Sequence, residues 1–325
     1  MFTMRFDMRA PEGGASTTDL YQAAIDMAAW GETRGCVAAV ISEHHTSEDG
    51  YIPSPMLLAS AMAARTEHMF ISIAAALLPF YDPIRLAEDM NVLDIISSGR
   101  VSYVFGIGYR AEEFEQYGLD MKQRGRIAEE KLALLIEARK GEPFVYDGRR
   151  IHVTPPPVTP GGPSISWGGG SIAAARRAGR YGLDLLAQSD LPGMREAYEA
   201  ECRAHGHEPG NTMLPPKDSP TTTFVADDVD QAWEEIGSYI LHDAKMYAAW
   251  NPGDETTASI SHAKTVDELR ATSTAHKIYG TDEAVELVRS GGMLMLMPLC
   301  GGLPPELAWP YVERVANVVL PRAQE

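Results

Sequence analysis

Apolar and polar positions follow two rhythms along this chain, and the rhythms take turns from one end to the other. Short apolar or alternating runs at residues 4–8, 37–42, 69–78, 101–107, 164–167, 183–187, 221–225 and 293–297 read as strands. Between them, apolar residues three and four apart read as helices over 19–34, 55–66, 83–97, 124–139, 171–181, 192–205, 228–248, 282–290 and 305–320. The best-marked stretch runs from Ala74 to Gly118. There Asp82 is placed to cap a helix and Pro83 takes its first position, where a missing N–H costs nothing. Ile84, Leu86, Ala87, Met90, Leu93 and Ile95 give that helix one wide apolar face, and Gly99 supplies a left-handed stop. The run 101–107 is almost continuously apolar, as a parallel strand covered on both faces must be. Two segments break the rhythm. Residues 141–163 read as a small hairpin and a stiff Pro-rich connector, and residues 251–275 as a polar, weakly periodic, mobile excursion.

About eight strand–helix pairs in strict alternation imply a parallel sheet. In 325 residues they favour a closed (β/α)8 TIM barrel, one domain over 1–325, above an open doubly wound sheet. A hydrophobic fraction of 45% with 22% charged residues can fill such a core. The net charge of −17 argues against nucleic acid or an anionic membrane as partner. No apolar run approaches the ~18 residues of a membrane span, and Arg5, Asp7 and Arg9 interrupt any signal-peptide core. Cys36, Cys202 and Cys300 are scattered and lack CxxC spacing, as free thiols in a reducing cytoplasm would be.

A barrel keeps its chemistry at the C-terminal ends of its strands. Four groups fall there: Glu43-His44-His45, Ala74-Ala75, Gly106 to Arg110, and Gly168-Gly169-Gly170-Ser171. Neighbouring strand positions face opposite ways, so His44 and His45 do not converge on one metal, and no metal site is expected. One imidazole serves as a hydrogen-bonding or acid–base group, or both are loop residues. Three glycines and Ser171 ahead of a helix let backbone N–H groups approach an anion at the positive end of the helix dipole. A structural turn uses the same glycines. Gly108 leaves room for a planar ligand, and Arg110 is the nearest cation. Of Arg176 and Arg177 on the helix that follows, one helps with the ligand's charge or, by default, both lie in solvent, as the acids of 111–118 are expected to. Met8, Tyr109, Trp167 and Met297 line either a pocket or the core. These residues imply an enzyme with a phosphate-bearing ligand and a histidine in its pocket, without naming the reaction.

The motifs EHH at 43–45, ALLPFYDPIRLAEDMNVLDIISSGR at 76–100 with the GIGYRAEEFEQYG that follows, SWGGGS at 166–171 and LCGGLPPELAWPYVERVANVVLPR at 299–322 resemble the bacterial luciferase-like flavin oxidoreductases over nearly the whole chain. The resemblance implies a (β/α)8 barrel and a monooxygenase that uses reduced FMN and O2 on a small organic substrate. A separate flavin reductase and a homodimer packed through helices near 54–66 and 82–97 are implied as well. It places His44 at the reactive face of the flavin and a non-proline cis peptide at Ala74-Ala75 against its ring. Gly108 and Arg110 fall in the segment on the phosphate side, and Gly169, Gly170 and Ser171 match the phosphate loop. The excursion at 251–275 corresponds to a mobile loop over the pocket. Two further readings come with the family: hydride transfer with the deazaflavin coenzyme F-420, whose acidic tail would need Arg110, Arg176, Arg177 and Arg180, and a non-catalytic flavin-binding accessory subunit.

Overall fold

The computed structural model describes residues 1–253, 257 and 259–325. In chain order the elements are β1 (Phe2–Phe6), α1 (Thr17–Glu32), β2 (Cys36–Ile41), α2 (Pro55–Ala63), β3 (Phe70–Leu77), α3 (Pro83–Ser97), β4 (Val101–Gly106), α4 (Ala111–Gln116) and α5 (Arg124–Ala138). There follow β5 (Phe144–Tyr146), β6 (Arg149–Ile151), β7 (Ser164–Gly168), α6 (Ile172–Arg180), β8 (Asp184–Leu186), α7 (Met194–Ala204) and β9 (Thr212–Met213). The chain closes with β10 (Thr222–Ala226), α8 (Val229–Trp250), α9 (Val266–Thr272), β11 (His276–Gly280), α10 (Thr281–Arg289), β12 (Leu294–Leu296), α11 (Pro305–Arg314) and α12 (Leu320–Gln324). No helix among the described residues is long and apolar enough to cross a membrane. Contacts divide the chain into unit one (1–40, 47–52 and 215–325) and unit two (41–46 and 53–214).

In unit one the parallel strands run in the order β11, β10, β12, β1. Phe2 pairs with Leu294 and Met4 with Leu296, and Phe2, Met4 and Phe6 bury alternate positions of β1. Helix α1 is capped by Ser16, whose Oγ accepts from the Asp19 N–H at 3.2 Å, rather than by Thr17 or Thr18. Gly31 lets it lie close to the strand, because a Cβ there would stand 2.9 Å from the Met4 side chain.

The same unit holds a buried charge cluster. The Arg9 guanidinium lies 3.1 Å from Asp7, 2.6 Å from Asp49 and 3.3 Å from Asp243. The rings of Tyr51, Tyr247 and Trp250 surround it at 4.7, 5.1 and 4.4 Å. His242 closes on Asp49 at 2.8 Å. Burial pushes the Asp7 carboxyl up to about 7, against the pull of Arg9. It pushes His276, facing Asp243, down to about 4. Asp49 is held well below the usual carboxylate range because hydrogen bonds from His242 and Ser47 and the charge of Arg9 outweigh its burial.

Unit two carries parallel strands in the order β3, β4, β7, β8, β9. Val101, Tyr103, Val104 and Phe105 of β4 are all buried, which requires cover on both faces. Asp82 caps α3, accepting from the N–H groups of Ile84 and Arg85 at 3.0 Å, and Pro83 opens the helix. The left-handed stop begins one residue earlier than the sequence suggests, at Ser98 with φ 55°, and continues through Gly99. Ser54 precedes α2 without a side-chain cap bond. Residues 141–163 form the expected hairpin, β5 against β6, and a connector held by Asp94, which accepts from the N–H groups of Val158 and Thr159 at 2.8 Å each.

Candidate active site

The parallel register of β3, β4, β7 and β8 brings four loops to one edge of the unit-two sheet. Leu77 stands beside Gly106, Phe105 beside Trp167, and Gly168 beside Leu186, so each chain leaves its strand at the same end. Near the end of β3 the Ala74–Ala75 peptide is cis, both residues are half-buried, and the pairing with β4 shifts register between Ala74 and Ala76. Gly108 follows β4 with φ +73°, buried against the Phe114 ring.

After β7 the chain runs through 168–171 into α6. Ser171 is the N-cap, its Oγ accepting from the Ala174 N–H at 3.2 Å, and the first intrahelical bond runs from the Ala175 N–H to the Ser171 carbonyl. Helix geometry leaves the Ile172 and Ala173 amides, ahead of these two bonds, pointing out of the N-terminus as donors. Gly169 holds φ +132°, and a Cβ on Gly170 would stand 2.6 Å from the Ser189 Oγ. A side chain on Gly169 would be strained and would stand 3.0 Å from the Ala174 Cβ, so neither glycine takes one without a shift. Arg177, expected in solvent, is buried instead: its Nε donates to Glu129 at 3.0 Å and its guanidinium lies 5.2 Å from the Trp167 ring centre.

The two histidines turn to different carboxylates. His44 Nδ1 is 2.9 Å from Glu113 Oε1, which also accepts from the His45 N–H at 2.9 Å. His44 Nε2 is 3.0 Å from the Tyr109 hydroxyl. His45 Nε2 is 2.8 Å from Glu43 Oε1, while Glu43 Oε2 accepts from the Tyr81 hydroxyl at 2.7 Å and the Leu77 N–H at 3.2 Å. Burial pushes the Glu43 carboxyl up, against these hydrogen bonds. Arg110, expected on the phosphate side, donates to the His45 carbonyl oxygen and lies 3.6 Å from Glu113 Oε1.

Glu113 is the residue the sequence reading missed. The acids of 111–118 were expected in solvent, yet Glu113 is fully buried. Its three glutamates look alike in sequence; Phe114, which buries one side of the short α4, was the available signal. Met8, Trp167 and Met297 are core residues, each 1% exposed or less, whereas Tyr109 is 36% exposed. A separate cleft of about 710 Å³ opens between α2 and α3, lined by Met56, Leu57, Arg85, Val92 and Ile96 with Glu43 and His45 behind.

This chain matches the sequence model of the luciferase-like monooxygenases over residues 4–292. It belongs to that family. Among curated relatives, the alkanal monooxygenase alpha chain of Photorhabdus luminescens is 23% identical over 203 residues, which cover 59% of this chain and 56% of that one. The oxygenase component of a flavin-dependent trigonelline monooxygenase from Acinetobacter baylyi is 26% identical over 143 residues, 43% of this chain and 40% of that one. The chain thus spans between 40% and 56% of the length of these relatives. Among solved structures, the monooxygenase RslO1 from Streptomyces bottropensis superposes with a TM-score of 0.77 at 20% identity, covering 99% of both chains. The oxygenating constituent of 3,6-diketocamphane monooxygenase from Pseudomonas putida, in complex with FMN, gives 0.73 at 20% identity over 98% of both. An F420-dependent secondary alcohol dehydrogenase gives 0.60 at 17% identity over 94% of this chain and 96% of that one. The fold is that of the luciferase-like (β/α)8 barrels, as the alternation of strands and helices implies.

Proposed function

We propose that this luciferase-like protein is a flavin-dependent monooxygenase, one domain over 1–325, that receives reduced FMN from a separate flavin reductase and oxygenates a small organic substrate with O2. The observation that carries the reading is the single edge of the unit-two sheet that presents the Ala74–Ala75 bulge, Gly108 and the 168–171 loop together. The loop fits a flavin phosphate: its donors are backbone amides at a helix N-terminus, and two of its glycines admit no Cβ without a clash or strain. Bound reduced FMN supplies the electrons that activate O2. The protein's own residues do the rest. Gly169, Gly170 and Ser171 hold the phosphate, Ala74 and Ala75 support the ring, and Gly108 leaves room beside it. His44, fixed by Glu113, holds or delivers a proton at the reacting end. Assigning Arg110 to the phosphate would require its guanidinium to leave the His45 carbonyl, so we give it the part of charge partner to Glu113.

Hydride transfer with the deazaflavin F-420 is the second reading, favoured by likeness to the F420-dependent dehydrogenase. It fits the cations less well. Arg110 is engaged with Glu113 and His45, Arg177 with Glu129, and Arg180 with Glu129 and Glu201, so at three of the four cations an acidic coenzyme tail would compete with existing ion pairs, while Arg176 is exposed. Assembly as a homodimer in the cytoplasm completes the proposal. Leu57, Val92 and Ile96 along the α2–α3 cleft are 75%, 42% and 42% exposed, an apolar edge suited to a second copy.

Anaerobic titration with reduced FMN and with reduced F-420, followed by admission of oxygen, tests the function. The reading expects tighter binding of reduced FMN and oxygen uptake by the complex. Tight F-420 binding without oxygen uptake contradicts it, and FMN binding without oxygen chemistry points to an accessory subunit.

A further inference from the structure

We infer that the Ser189 hydroxyl donates to a ligand phosphate held at the 168–171 loop, and that it sets a preference for a flavin carrying a phosphate over riboflavin. The inference rests on the flavin reading above and deepens it, adding a residue from the loop of the next strand.

Strands β7 and β8 lie side by side, with Gly168 beside Leu186, and the Gly169 amide donates to the Leu186 carbonyl oxygen at 3.3 Å. The segment leaving β8 therefore passes the start of α6. In that segment Gln188 and Asp190 are exposed, yet Ser189 between them is 3% exposed. Its hydroxyl is aimed at the glycine loop: a Cβ on Gly170 would stand 2.6 Å from the Ser189 Oγ but 3.9 Å from the Ser189 Cβ. That hydroxyl makes no hydrogen bond to another group among the described residues. A buried hydroxyl without a partner is costly, and a ligand on the loop would supply one. The loop is open to it, because Gly169, Gly170, Ser171 and Ala173 are exposed.

The donors define the ligand's chemistry. The Ile172 and Ala173 amides point out of the N-terminus of α6, where the helix dipole is positive, and the Ser189 O–H joins them from the side. A phosphate monoester, carrying a charge of about −1.5 to −2 at neutral pH, offers acceptor oxygens to all three. Cations on α6 contribute little: Arg177 and Arg180 are held by Glu129 and Glu201, and Arg176 is exposed. The exposed Asp190 carries the opposing sign. Neutral donors thus carry the recognition, and losing one that serves a charged group should cost about tenfold or more in affinity.

Anaerobic titration of wild type and Ser189→Ala with reduced FMN and with reduced riboflavin tests the inference. The wild type should bind FMN more tightly than riboflavin. Ser189→Ala should lose about tenfold or more of that preference, with riboflavin affinity unchanged. A variant that keeps the full preference overturns the inference. So does one whose affinities for both flavins fall equally, since Ser189 would then shape the loop without touching phosphate. A wild type that binds FMN no better than riboflavin overturns the flavin-phosphate reading, and inorganic phosphate, followed by phosphorus NMR, then judges Ser189 by itself. Phosphate binding that weakens in Ser189→Ala upholds the donor; binding equal in both proteins, or absent from the wild type, overturns it.

Discussion

Replacing Arg9 by Met is a severe test of the unit-one cluster. Arg9 is fully buried, and the change strips the cation from Asp7, Asp49 and Asp243 while leaving apolar bulk among Tyr51, Tyr247 and Trp250. Breaking one buried ion pair costs about 3–5 kcal/mol, and the ring contacts add about 1 kcal/mol. Proton uptake limits the loss, because a carboxyl driven upward costs about 1.4 kcal/mol per pH unit and then neutralises. Asp7, already pushed to about 7, is the one to take it. We expect a loss of about 4 kcal/mol near neutral pH, or roughly 8 °C in Tm at about 2 °C per kcal/mol for a chain of this size.

The sign with pH follows from linkage. Without Arg9 the charge that lowers the Asp7 and Asp49 carboxyls is gone, so both move upward, the variant's folded state holds more protons than the wild type's, and its deficit shrinks as pH falls. The gap to the wild type should narrow by up to about 1.4 kcal/mol per pH unit for each such carboxyl. Asp7 is raised in both proteins and costs both stability as pH climbs from about 4 towards 7. His276, depressed to about 4, acts oppositely in both, favouring folding as pH rises through its unfolded value. Thermal unfolding followed by circular dichroism from pH 5 to pH 8 measures the difference. A Tm loss under about 2 °C, or one equal at both ends of the range, would refute the reasoning.

Asp94→Ala removes the acceptor of the Val158 and Thr159 amides and of the Thr159 hydroxyl at 2.7 Å. It should cost about 2–3 kcal/mol and open 153–163 to limited proteolysis; unchanged resistance would contradict the clamp. Gly170→Ala places a Cβ 2.6 Å from the Ser189 Oγ. The Ser189 side chain or the loop must shift, and affinity for FMN should fall about tenfold, the equivalent of 1.4 kcal/mol, while full affinity would remove the loop from the phosphate site. Leu57→Asp should turn a sedimenting dimer into a monomer, and an unchanged sedimentation coefficient would place any dimer interface elsewhere.

Much of the architecture was legible because its signals are local. Asp82-Pro83 marks a helix start, and the unbroken apolar run of β4 marks a strand covered on both faces. Short elements escaped. Strand β11 begins with His276, whose burial against Asp243 no sequence window reveals, and α9 lies inside the polar excursion expected to be mobile. Of that excursion, residues 254–256 and 258 lie outside the described residues. The site was half visible. Glycines and a histidine at strand ends advertise themselves, whereas Glu113 and Tyr109 acquire meaning only when the loop after β4 folds back onto His44, a contact 65 to 69 residues apart. Arg110 and Arg177 show the same limit: a cation's partner is a tertiary fact.

The central claim is that this protein holds reduced FMN where it reacts with O2. Reduced FMN mixed with oxygenated buffer at increasing protein concentration, with reoxidation followed by flavin absorbance, tests it most directly. The account predicts a reoxidation rate that departs from that of flavin alone, saturates with protein, and reverts towards the protein-free value in Gly170→Ala. A rate identical to protein-free flavin at every wild-type concentration would contradict it.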